Sequence, residues 1–140
     1  MTRDDQIKEE IKNILNKIAN SSEQALLDSF LSAYHNSPTF LHFSADGNRR
    51  NYEEFKNICT EYYTALDHQK IETTSETINV IELNFVTTGW TGNITAYFKT
   101  GNKMIMKNYS VSNLFKKIEG EWKIIHSHES SLPPEITKKG

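Results

Sequence analysis

The chain has 140 residues with 18 acidic against 16 basic side chains, a length that suits one domain because a second core would be starved of apolar area. The balanced charge withholds the broad positive field that phosphate-backbone binding needs, so nucleic acid is not an expected partner. No run approaches the ~20 apolar residues of a membrane span, and residues 1–10 are charged, so no membrane partner and a cytoplasmic location are expected.

Ile7, Ile11, Ile14, Leu15 and Ile18 form one stripe at helical spacing and predict a first helix over residues 4–19. Asn20 precedes Ser21-Ser22-Glu23 as a helix-start signal, and Leu26, Leu27, Phe30, Leu31 and Tyr34 continue a second helix that stops before Pro38. Residues 39–44 read as a short strand ending in the turn Ala45-Asp46-Gly47-Asn48. A third helix follows, capped by Asn51, with Tyr52, Phe55, Ile58, Cys59, Tyr62, Tyr63 and Leu66 as a broad stripe. Cys59 is the only cysteine, which excludes an intramolecular disulfide and a cysteine-based metal cluster, and its apolar neighbours make it a core residue.

From about residue 69 the period changes to alternation, which predicts an antiparallel meander. Turn signals at residues 89–93, at Gly101-Asn102 and at Glu119-Gly120 divide its strands, and the last strand covers residues 121–129. Helices first and strands afterwards make the chain α+β. The domain is placed at 1–130, and 131–140, with Pro133-Pro134, as a C-terminal arm.

The run Gly120-Glu121-Trp122-Lys123-Ile124-Ile125-His126-Ser127-His128-Glu129-Ser130, with a proline shortly after, resembles the closing strand of SnoaL-like proteins and of the calcium/calmodulin-dependent kinase association domain. Both belong to the nuclear transport factor 2-like group. The resemblance implies a cystatin-like cone, a curved antiparallel sheet wrapped by three N-terminal helices, with a pocket at its open end. It also implies a homodimer through the outer sheet face, where Ile125, Tyr97 and Ile105 supply apolar surface. Ketosteroid isomerase-type members need a carboxylate base in the pocket. Around the first strand this chain offers Phe40, His42 and Ser44, with Asp46 already in the turn, so an enolising site is not expected. The Asp-Arg-Asp arrangement of limonene epoxide hydrolase-type members has no counterpart, since the arginines are Arg3, Arg49 and Arg50.

His126 and His128 stand two apart in the last strand, and strict alternation puts them on the face of Trp122 and Ile124, toward the cone. They could form a polar patch, a general base with its partner, or part of a metal site; no metal and no cofactor are expected, because only His42 offers a third ligand nearby. Aromatic side chains supply the remaining walls, and Tyr34, His42, Phe43, Tyr52, Phe55, Tyr62, Trp90, Tyr97, His126 and His128 are the candidate ligand-binding residues. The leading reading is a small-molecule-binding domain, with or without catalysis, whose small organic ligand is uncharged or weakly anionic. The alternatives are a homo-oligomeric assembly module and a polyketide cyclase or isomerase-type enzyme with His126 or His128 as base.

Overall fold

A computed structural model describes residues 1–139. Helix α1 (Arg3–Glu23) opens on a capping box in which Thr2 and Asp5 each accept the other's backbone N–H, and it buries Ile7 and Ile11. The expected restart at Asn20 does not occur. Ser21 is buried with its Oγ 2.7 Å from Ser29 Oγ, and Ser22 accepts from the Gln69 amide, so hydroxyls that read as helix caps are spent sideways on tertiary contacts. The chain breaks at Ala25, which takes a left-handed conformation (φ 56°), and α2 is only Leu27–Leu31.

Strands β1 (Leu41–Phe43) and β2 (Arg49–Arg50) precede α3 (Tyr52–Ala65), whose capping box joins Asn51 and Glu54. The sheet continues as β3 (Leu66–Glu82), β4 (Phe85–Phe98), β5 (Lys103–Ile118), β6 (Glu121–Ser130) and β7 (Glu135–Thr137). Its order is β2-β1-β6-β5-β4-β3, with β7 paired to β5. The α+β cone with three N-terminal helices is therefore present. The sheet is mixed rather than wholly antiparallel, because β1 enters from α2 and runs parallel to β6.

Residues 89–93, expected as a turn, lie inside β4; the hairpin turns at Leu83 and Asn84 instead. Gly92 is required by a close approach. A Cβ there would stand 2.2 Å from the Glu72 carbonyl oxygen and 2.6 Å from the Trp90 ring. Gly92→Ala is therefore expected to cost about 1–3 kcal/mol through overpacking, read as a lower urea midpoint at unchanged slope.

One irregularity sets the functional site. Leu114 opposes His126 while Phe115 opposes Ile124, so Ile125 is an extra residue bulged out of β6. Trp122 and Ile124 face inward before the bulge, and the inward positions after it are Ser127 and Glu129. Beneath lies the larger core, in which α1, α2 and α3 pack on Val86, Phe115, Trp122 and Ile124. A smaller cluster around Leu66, Ala96 and Met106 supports the open end.

Candidate functional site

The open end of the cone holds a cavity of about 740 Å³, within the range of ligand pockets. Phe30 of α2 and Phe55, Cys59, Tyr62 and Tyr63 of α3 form one wall; Ile94, Phe98, Met106 and Tyr109 of the sheet form the other. Residues 131–134 close one side, anchored where the Leu132 N–H donates to the Lys107 carbonyl and where β7 pairs with β5.

The polar centre of this wall is Glu129. Its Oε2 lies 2.8 Å from His42 Nε2, and its Oε1 accepts from the Tyr109 hydroxyl at 3.0 Å. His42 is buried at 2% exposure on β1, its ring 4.4 Å from that of Phe55, whereas the Glu129 side chain keeps 26% of its surface open. Burial first, and then the Glu129 charge, pushes the Tyr109 hydroxyl far above its usual range, so it stays protonated and donates. The same two causes raise Tyr34 and Tyr62, and they push the Cys59 thiol up to about 12, which keeps it unreactive. The Tyr62 hydroxyl donates to Gln69 Oε1 at 2.5 Å, and the Gln69 amide donates onward to Ser22.

At the mouth, Arg50 is held by Ser44 Oγ and by Asp46, with a guanidinium-to-carboxylate distance of 3.3 Å. The Asn48 backbone N–H first, and then Arg50, lowers Asp46 to about 2. Its folded value is depressed, so protonation favours the unfolded chain: the stabilisation is present above the ordinary carboxylate value and is lost as pH falls through about 2. Carbon-detected NMR is expected to place the Asp46 titration near 2 in the native chain, and nearer its usual range in Arg50→Gln.

Of the ten expected contact residues, His42, Phe55 and Tyr62 line the cavity. Tyr34 is buried beneath it against Phe55 (4.8 Å), and Tyr52 packs edge-on to Phe40. Phe43, His126 and His128 do not line it: the bulge at Ile125 sends both histidines to the opposite face from Ser127 and Glu129, where they flank the Phe43 ring at 5.7 and 5.5 Å. Tyr97 is stacked on His68, away from the cavity. Trp90 stands in a strand and not a turn, and its indole N–H donates to Thr73 Oγ1 at 2.9 Å. Strict alternation, which turns His126 and His128 inward, would turn Ser127 and Glu129 outward, and no sequence motif marks Tyr109 or Gln69. The adjacent apolar pair Ile124-Ile125, which breaks alternation, was the available signal.

Among the described residues no group of three or more His, Cys, Asp or Glu side chains is placed to hold a metal ion, and no helix is long and apolar enough to cross a membrane.

A family model described as a SnoaL-like domain matches residues 11–134. No curated protein matches the chain by sequence. Among solved structures, the chain is similar to a nuclear transport factor 2-like superfamily protein from Salmonella enterica, at 19% identity and TM-score 0.79 over 92% of this chain and 93% of that one. It is similar to a candidate scytalone dehydratase from Novosphingobium aromaticivorans, at 7% identity and TM-score 0.81 over 95% and 89%. A type 2 hexachlorocyclohexane dehydrochlorinase aligns at 6% identity and TM-score 0.78 over 96% and 91%. At these identities the likeness concerns the fold.

Proposed function

Because the chain belongs to the SnoaL-like domain family and its cone is open, we propose that the protein binds a small organic molecule in the cavity, with Glu129 as its polar anchor. The observation that carries this is a carboxylate gripped by His42 and Tyr109 on a wall otherwise made mostly of apolar and aromatic side chains. Burying a charge is costly unless it is hydrogen-bonded, and two fixed donors make the cost bearable at a site that can still reach a ligand. A cavity of this size gives the ligand reading more support than the assembly-module reading, which requires no hollow interior. The test is a thermal-shift screen of small aromatic and alicyclic compounds; a ligand at 100 times its Kd should add about 2.7 kcal/mol of stability. No shift across the library would count against the proposal.

A second reading is favoured by the His42–Glu129 contact itself. A histidine paired with a carboxylate on a cavity wall is an acid–base pair, and a candidate dehydratase and a dehydrochlorinase are among the proteins of similar fold. In this reading Glu129, the more open partner, takes a proton from the ligand, and His42 holds it in place. It replaces His126 or His128 as the base. Turnover that survives in Glu129→Gln would remove it.

A homodimer through the outer sheet face is proposed on the half-buried Ile105, Tyr97 and Ile125, and a monomer mass by light scattering at micromolar concentration would oppose it. A cytoplasmic location belongs with these proposals and rests on the single, buried Cys59.

A further inference from the structure

Every molecule that enters the cavity meets a wall with unequal numbers of free donors and free acceptors. Most of the strong side-chain donors that line it are engaged: Tyr109 on Glu129, Tyr62 on Gln69, Gln69 on Ser22, and Arg50 through its terminal nitrogens on Asp46 and Ser44, while the Tyr63 hydroxyl stands beside Ser22. Glu129 is different. A carboxylate has about four lone-pair positions, and His42 and Tyr109 occupy one on each oxygen, so roughly two remain.

The charge runs the same way. Asp46, Glu61 and Glu129 line the cavity against one cation, Arg50, which Asp46 already pairs. A ligand carboxylate would stand beside Glu129 with no unpaired cation among the described lining residues to receive it, while a ligand carbonyl would find the Tyr109 and Tyr62 protons taken. A protonated amine would meet open acceptor positions on Glu129 and, on its way in, the aromatic residues Tyr62, Phe98 and Phe55.

Resting on the ligand-binding reading above, we propose that the ligand is an organic amine: an apolar, ring-sized body carrying an ammonium group that donates to Glu129. This departs from the uncharged or weakly anionic ligand expected from sequence, because that expectation turned His126 and His128 toward the cone, where the structure places Glu129 instead.

The experiment uses matched probes that differ only in the polar group: tryptamine, tryptophol and indole-3-acetate, and the corresponding phenylethyl and cyclohexylethyl sets. Each is titrated by calorimetry at pH 7 into the full chain and into Glu129→Gln. The amine is expected to bind about tenfold tighter than its alcohol, as a charge-assisted hydrogen bond outweighs a neutral one, and the acid weakest. In Glu129→Gln the amine and alcohol should fall within about threefold of each other. Alcohol or acid equal to or tighter than the amine, or an amine preference that survives Glu129→Gln, overturns the proposal and leaves the ligand-binding reading standing. Silence from all nine probes overturns it together with that reading. Should Glu129→Gln fail to fold, the order of the three polar groups on the native chain decides alone.

Discussion

Phe115→Ala is expected to destabilise the fold by about 3–5 kcal/mol, a large part of the roughly 5–15 kcal/mol that holds a domain of this size together. Phe115 is fully buried, opposite Val86 on one neighbouring strand and Ile124 on the other, and α1 closes over all three. Truncation loses the transfer energy of the ring and leaves a cavity that a sheet pinned on both sides cannot collapse to fill. The urea midpoint should fall sharply, whereas Ile81→Ala, at a site 59% exposed, should stay within about 0.5 kcal/mol of the native chain. A loss below about 1 kcal/mol in Phe115→Ala would mean that this layer is not the centre of the core.

Glu129→Ala is expected to cost about 2–4 kcal/mol, because it strands the His42 and Tyr109 donors at once while cavity water restores only part of what they lose. The cost should not add to that of Tyr109→Phe: with the donor gone first, removing Glu129 leaves one fewer unpaired group, and the double variant should be more stable than the sum of the singles implies. Tyr109 supplies a second readout. Burial and the Glu129 charge both raise its titration, so Glu129→Ala should bring it down, though still above the ordinary tyrosine range because burial is the larger cause.

The parts of this molecule that were legible in sequence are those set by local chemistry. The α3 start was read from Asn51, and Glu54 completes the box; the Glu119-Gly120 and Gly101-Asn102 turns hold positive φ where glycine or a tolerant neighbour stands. The helix order and the long meander followed from the change of period. Local signals misled where tertiary contacts took the groups that carried them: Ser21 and Ser22 are spent on Ser29 and Gln69 and leave α1 unbroken, and Gly92 serves a close approach instead of a turn. The site was misread by a single residue. Alternation is a rule of period two, so the bulge at Ile125 exchanges His126 and His128 for Ser127 and Glu129 on the inner face. Tyr109 depends on a second irregularity, the slip between Gly92 and Ile94 on β4, where Asn108 of β5 takes φ 51°.

The central claim is that a small organic molecule binds inside the cone, against Glu129, and not on the outer face of the sheet. Amide chemical-shift mapping of the native chain with tryptamine tests it most directly. The expected shifts cluster at His42, Tyr62, Met106, Tyr109 and Glu129, saturate with ligand, and need about tenfold more tryptamine to saturate in Glu129→Ala. Shifts confined to the outer face around Ser75, Ser112 and His128, or cavity shifts that persist unchanged in Glu129→Ala, would contradict it.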